Sequence, residues 1–190
     1  MRNVDAKNKP PPSVRYGWKA DVDVLAYGWK AVIGRIAQLL DSRRFERMGL
    51  RYLHLPPDEA PPDLASGPFR ALIVSESEVP QNWRNRICEW LLESGCLYVV
   101  AWGVECEVWH DTVDETNLAR FDFGDTPDDR FVMTTWHTDE PLSEAMWFAR
   151  HCAFHPDVEL DETVIIHIAT VGREAGVLET YSESQMIHDE

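Results

Sequence analysis

The chain has 190 residues, of which 44% are hydrophobic and 27% charged, and both fractions are typical of a globular protein with its own core. It contains no apolar run of about eighteen residues, and the amino-terminal sequence lacks the apolar segment of a secretory signal. We therefore expect a cytoplasmic protein without a membrane-spanning helix.

The formal charge of −15 is distributed unevenly along the chain. Residues 1–51 hold eleven Lys and Arg against five Asp and Glu, whereas residues 52–190 hold seven against twenty-eight. Such an acidic body repels nucleic-acid phosphate and anionic lipid, so we expect neither nucleic acid nor membrane as a partner of the main domain. The charge favours a basic protein partner. The plainer alternative is that the carboxylates only keep the protein soluble.

Four cysteines occur at spacings that fit neither a CxxC motif nor a zinc site: Cys88, Cys96, Cys106 and Cys152. In a chain long enough to form a hydrophobic core, this pattern predicts reduced thiols, as in cytoplasmic proteins.

The amino-terminal third is interpreted as three segments that precede the main domain. Residues 1–23 are predicted to be a flexible tail, and residues 24–55 to be a basic amphipathic helix followed by a short edge strand at 50–55. The helix packs on the acidic body or, alternatively, docks on a partner or a membrane surface. The proline-rich segment 56–68 reads as a stiff linker or surface loop.

An alternation of strand and helix patterns defines the main domain, predicted over residues 69–170. The apolar runs of strand length are at 69–74, 96–101, 131–136 and 163–169. The helical patterns are at 80–94, at 104–120 with a break near Asp111, and at 141–154 with Pro141 as its first residue. The alternation predicts an α/β fold, a three-layer αβα sandwich around a mostly parallel sheet of four or five strands. Residues 171–190 are predicted to be an acidic tail.

Ligands of such sheets bind where the strands end at their carboxyl edge. In a flavodoxin-like strand order, the binding crevice lies between the strands at 69–74 and 131–136. The catalytic candidates that leave these ends are Ser75, Glu76, His137 and Asp139, and the ligand-binding candidates are Ser77, Trp102, Glu105, Trp136 and Thr138. They include a base, carboxylates and hydroxyls, as acid–base or nucleophilic chemistry requires. The alternative is that they cap helices.

No glycine-rich phosphate motif is present, so no nucleotide cofactor is predicted. His151 and His155 lie one helical turn apart and are weak candidates for a metal site, but no third ligand follows at a fitting spacing. Histidines near a helix carboxyl terminus are also favoured without a metal, and we predict none. His167 lies inside an apolar strand and is interpreted as a buried core residue.

The tract FVMTTWHTDEPLSEAMWFARHC, with ALIVSE and LYVVAWG before it, resembles a family of bacterial cytoplasmic domains of unknown function. The resemblance covers about residues 69–170 and implies no particular activity.

Two functions follow as hypotheses. The first is a non-catalytic binding or regulatory protein, antitoxin-like or immunity-like, for a basic partner. The second is a small-molecule enzyme that acts around Ser75, Glu76 and His137.

Overall fold

The structure, a computed structural model, describes residues 49–64 and 67–186. The predicted tail at 1–23 and the basic helix that begins at residue 24 lie outside the described residues. In the described part the strands are β1 (Leu50–Leu55), β2 (Phe69–Ser75), β3 (Cys96–Gly103), β4 (Met133–His137) and β5 (Glu162–Ile168). The α-helices there are α1 (Gln81–Glu93), α2 (Cys106–Ala119), α3 (Leu142–His151) and α4 (Glu174–Ser184), and Asp128–Arg130 forms one 3₁₀ turn.

The five strands form one parallel sheet in the order β1-β5-β2-β3-β4. β2 is buried along its whole length, as expected of a central strand with a continuous apolar sequence. β1 and β4 are the edges, and the predicted edge strand at 50–55 is confirmed.

Helices cover both faces of the sheet. Trp83 of α1 and Trp109 of α2 belong to one buried cluster with residues of the strands. Met146 of α3 and Tyr181 of α4 belong to a second cluster on the opposite face. The predicted three-layer αβα sandwich is therefore confirmed.

Two details of the predicted helices are wrong. α2 continues through Asp111 without a break, because Trp109 and Val113 on either side are buried on one helix face while Asp111 points to solvent. α3 begins after Pro141 and ends at His151, three residues earlier than predicted, since the next residue, Cys152, leaves the helical conformation.

The predicted acidic tail at 171–190 is also wrong, because it contains α4. Val177 and Tyr181 bury one side of this helix against the sheet and α3. The acidic side chains Glu174, Glu179 and Glu183 lie on its exposed side and give the segment its polar composition.

The proline-rich segment is a surface loop held against α1. The indole Nε1 of Trp83 donates a hydrogen bond to the Glu59 carbonyl (2.7 Å), and Nε1 of Trp90 donates to that of Pro62 (3.0 Å). The folded domain therefore begins with β1 at residue 50, rather than at residue 69 as predicted.

Candidate functional site

At two places along the carboxyl edge of the sheet, neighbouring strands lead to helices on opposite faces. β2 leads to α1 on one face while its neighbour β5 leads to α4 on the other, and β3 and β4 diverge in the same way towards α2 and α3. Parallel sheets bind ligands in crevices at such divergences, and we call these two positions the β5–β2 crevice and the β3–β4 crevice. The prediction of a crevice between β2 and β4 is wrong, because β3 lies between these two strands.

The predicted catalytic residues are consequently divided between two places. Ser75 ends β2 and Glu76 follows it, whereas His137 ends β4, two strand spacings or about 10 Å away. Glu76 pairs with His167 and Arg173, and His137 pairs with Glu140.

Ser75 lies beneath the surface with only 1% of its area exposed. Its Oγ accepts a hydrogen bond from the indole Nε1 of Trp109 (3.3 Å) and donates one to the Ser77 carbonyl (3.3 Å). Neither partner can remove a proton, so these contacts position the loop after β2 and do not activate a nucleophile.

Glu76 takes part in a cluster of ionisable groups at the β5–β2 crevice. Its Oε2 lies 3.2 Å from Nε2 of His167, and its Oε1 pairs with the Arg173 guanidinium. Nδ1 of His167 lies 2.6 Å from the hydroxyl of Tyr52, which also accepts a hydrogen bond from the Arg173 backbone N–H (3.2 Å). Next to them on β1, Nε2 of His54 donates to the carbonyl of Ala169 (2.8 Å).

The protonation of this cluster follows from its contacts. Burial raises the pKa of Tyr52 above its usual value, although the Arg173 N–H acts in the opposite direction. The phenol therefore keeps its proton at neutral pH and can donate it to Nδ1 of His167. Nε2 of His167 is buried and faces Glu76 without good hydrogen-bond geometry, and within residues 49–64 and 67–186 it has no other partner.

The sequence interpretation missed Tyr52 and Arg173 in this cluster and placed His167 in the core. His167 is indeed fully buried. The sequence does show a polar residue, His167, near the end of an apolar strand. Its partner Tyr52 could not be predicted, because the strand order that places β1 beside β5 is not evident from the sequence.

His137 forms a smaller pair at the β3–β4 crevice. Its Nδ1 lies 2.6 Å from Oε2 of Glu140, and its ring packs against the edge of Phe148 at 4.9 Å. The Cys106 thiol lies 3.4 Å from Oγ1 of Thr138. Together these contacts tie the loop after β4 to the starts of α2 and α3.

The remaining predicted residues of this edge serve different purposes. The indole Nε1 of Trp102 donates to the Glu140 carbonyl (2.8 Å). Glu105 pairs with the buried guanidinium of Arg84, which lies 5.5 Å above the Trp109 ring. Asp139 is exposed and has a positive φ of 60°, as in a tight turn.

Trp136 lies on the outer side of β4 with 44% of its area exposed. Its ring packs at 4.4 Å against that of His110 on α2. Nε2 of His110 is 3.6 Å from a carboxylate oxygen of Asp114 and 3.9 Å from one of Asp111. The exposed indole thus packs on a histidine that lies close to two carboxylates.

An acidic loop connects the end of α2 to the start of β4. Residues 121–130 contain four exposed aspartates and one arginine, and Phe123 and Phe131 are 72% and 44% exposed. We call the residues of this loop, together with those around Trp136, the β4 rim. It consists of His110, Asp111, Asp114, Asp122, Phe123, Asp125, Asp128, Asp129, Phe131 and Trp136.

His151 and His155 are held by separate partners. Nε2 of His151 lies 2.9 Å from Oε1 of Gln185 on the segment after α4. Nε2 of His155 donates to the Phe131 carbonyl (2.8 Å), while Nδ1 accepts the N–H groups of Asp157 and Val158. His155 therefore has no lone pair for a metal ion. The described ranges contain no group of three or more His, Cys, Asp or Glu side chains arranged to hold one.

A cavity of about 610 Å³ opens at the amino edge of the sheet, opposite the predicted site. It is lined by residues 154–161 with Arg70 and Arg150. Nη1 of Arg70 donates to the Ala149 carbonyl (3.1 Å) at the end of α3, and burial lowers the pKa of the guanidinium. Arg70 thus satisfies carbonyl groups at a helix terminus.

Comparison with known proteins identifies a family to which the chain belongs. A family model described as "Domain of unknown function (DUF7684)" matches residues 50–184, from β1 to the end of α4. No curated protein matches the chain. None of the helices that the structure describes is long and apolar enough to cross a membrane.

Proposed function

Because the chain belongs to the DUF7684 family, whose description assigns no activity, we propose a function from its surface: the domain binds a basic protein partner through the β4 rim. The observation that carries this proposal is the exposure of Phe123, Phe131 and Trp136 among carboxylates. Large aromatic side chains at a surface anchor protein interfaces, and the surrounding charge selects the sign of the partner.

The stretch of sequence that contains most of the rim holds few basic residues. Residues 104–130 hold nine Asp and Glu against two Arg. A cationic surface would gain attraction along this whole face, whereas an acidic one would be repelled. The partner is therefore a basic protein, in the manner of an antitoxin or immunity protein that covers a basic target.

The test is capture of a partner by the immobilised full-length chain and by two charge variants. One carries Asp125→Asn, Asp128→Asn and Asp129→Asn in the rim. The matched control removes the same charge from the loop against α1, with Asp58→Asn, Glu59→Gln and Asp63→Asn, whose side chains are also exposed.

We expect the wild type and the control to retain the same basic protein, which salt elutes, and the rim variant to retain roughly tenfold less. Equal retention by all three proteins, or retention that is insensitive to salt, would contradict the proposal.

A second candidate function rests on Tyr52, His167 and Glu76. A histidine between a protonated phenol and a carboxylate is suited to acid–base chemistry, and it lies at a crevice where parallel sheets bind ligands. We propose that this cluster binds and protonates a small polar substrate without a phosphate, which Glu76 would repel. The test is a thermal-shift screen of small polar molecules with the wild type, Tyr52→Phe and Glu76→Gln. Ligands of the site stabilise only the wild type, and a screen in which all three proteins respond alike would exclude this function.

A further inference from the structure

Within residues 49–64 and 67–186, β4 has a neighbouring strand on one side only. β4 is the last strand in the order β1-β5-β2-β3-β4 and pairs with β3 from Tyr98↔Met133 to Trp102↔His137. Alternate N–H and C=O groups of a parallel strand face away from its neighbour, so an edge strand offers them to another strand.

β4 carries few of the features that normally protect such an edge. Its sequence, MTTWH, has no proline and no lysine, and its pairing with β3 is regular without a bulge. Four of its five residues are partly or fully exposed, whereas β2 is buried throughout. The strand is thus a template for an added strand.

The charge around the edge specifies what can be added. Asp128 and Asp129 precede β4, and Asp139 and Glu140 follow it. These carboxylates repel a second copy of the acidic chain and attract a basic segment. Electrostatic repulsion between carboxylates disfavours pairing of two copies of this edge. A cationic peptide is not repelled in this way.

Trp136 provides a binding position for one cationic side chain. Its exposed ring is backed by His110, and Asp111 and Asp114 lie beside that histidine. Lysine or arginine over an indole gains cation–π attraction, which adjacent carboxylates strengthen. Thr134 hydrogen-bonds to Asp114 (2.7 Å), so it lies on the same face of β4, next to α2.

We infer that an extended basic segment of the partner adds to β4 as a sixth strand, with a lysine or arginine over Trp136. This inference rests on the proposed function and specifies its contact. Because side chains alternate along a strand, the partner's residues that face α2 are two apart, and the segment carries cationic side chains at alternate positions.

The experiment selects ligands for the full-length chain from a phage-displayed library of random peptides of about twelve residues, long enough to span a strand and its flanks. The selection is repeated with Trp136→Ala. The matched control is Phe154→Ala, which removes an aromatic ring that is 62% exposed on the segment after α3 and belongs neither to β4 nor to the β4 rim. We expect peptides with alternating Lys or Arg to be enriched by the wild type and the control, and to bind Trp136→Ala at least tenfold more weakly.

Two further measurements on a selected peptide separate strand addition from attraction by charge. Hydrogen exchange should slow at β4 amides when the peptide binds. N-methylation of one set of alternate peptide residues should weaken binding at least tenfold, while methylation of the other set is tolerated, because only one set of N–H groups faces β4.

The outcomes distinguish this inference from the proposed function. If basic peptides bind but β4 amides exchange as before, or both methylated sets bind equally, strand addition is wrong while binding through the rim stands. If no basic peptides are enriched, both are wrong.

Discussion

His167 owes its position to two residues that are distant in sequence. Tyr52 on β1 and Glu76 after β2 reach it because β5, which carries it, lies between these two strands. The residue types at the carboxyl edge could be read from the sequence, since an apolar run followed by polar residues marks a strand end. Which of these residues contact one another could not be read from the sequence, because the strand order depends on long-range packing that local patterns do not encode. Ser75 and His137 were therefore assigned to one site although β3 separates them.

Gly103 provides a test of backbone conformation at this edge. It has a φ of +92°, and a Cβ there would lie 2.1 Å from the Ser75 carbonyl oxygen. We expect Gly103→Ala to lower the free energy of unfolding by at least roughly 1–3 kcal/mol, measured by urea denaturation. Gly176 on α4 has open space around it, and Gly176→Ala should raise the stability by about 0.5–1 kcal/mol. Equal effects of the two substitutions would contradict this account.

The buried thiols predict how stability depends on alkaline pH. Burial raises the pKa of Cys88 and of Cys96 to about 12 from 9.0, and all four cysteines are free. Above pH 9 the unfolded chain loses these protons while the folded chain keeps them until about pH 12, so stability falls with rising pH in that window. Each thiol contributes a slope of about 1.4 kcal/mol per pH unit.

The measurement is urea denaturation at several pH values above 9, compared with the double variant Cys88→Ala, Cys96→Ala. The variant should be less stable at neutral pH but lose stability less steeply in alkali. An unchanged slope would show that other groups dominate.

At the scale of elements, apolar periodicity predicts, to within a few residues, the five strands and three of the four α-helices that the structure describes in residues 49–64 and 67–186. It failed where composition masked a buried face, as in α4. Only Val177, Leu178 and Tyr181 are large apolar residues among its acidic ones, and the sheet and α3 that they contact are distant in sequence. The break predicted in α2 is wrong for a different reason. Aspartate often caps a helix, but Asp111 lies on the exposed side of a helix that continues through it.

α4 should therefore be essential to the fold. Tyr181 is 1% exposed, and its replacement by alanine is expected to cost roughly 3–5 kcal/mol of unfolding free energy through the cavity it leaves. Glu179→Ala on the exposed side of the same helix should change the stability by less than about 0.5 kcal/mol. Chemical denaturation of the two variants compares them directly, and a small effect of Tyr181→Ala would mean that α4 does not belong to the core.

For the whole molecule, net charge was readable from the sequence but its spatial arrangement was not. The α/β class followed from the order of elements, and the excess of carboxylates followed from counting. Only the folded chain shows that the strand that follows the acidic loop and carries Trp136 is an edge strand. The sequence predicts Trp136 as a ligand-binding residue, and the structure places its exposed ring against His110 of α2.

The central claim is that the β4 rim binds a basic protein, and the salt dependence of that binding tests it most directly. The dissociation constant of the captured partner would be measured over a range of salt concentrations for the wild type, the triple rim variant and the matched loop control. We expect the affinity of the wild type and the control to fall steeply with salt, and the rim variant to bind more weakly with a shallower dependence. Identical salt dependence in all three proteins would show that the rim is not where the partner binds.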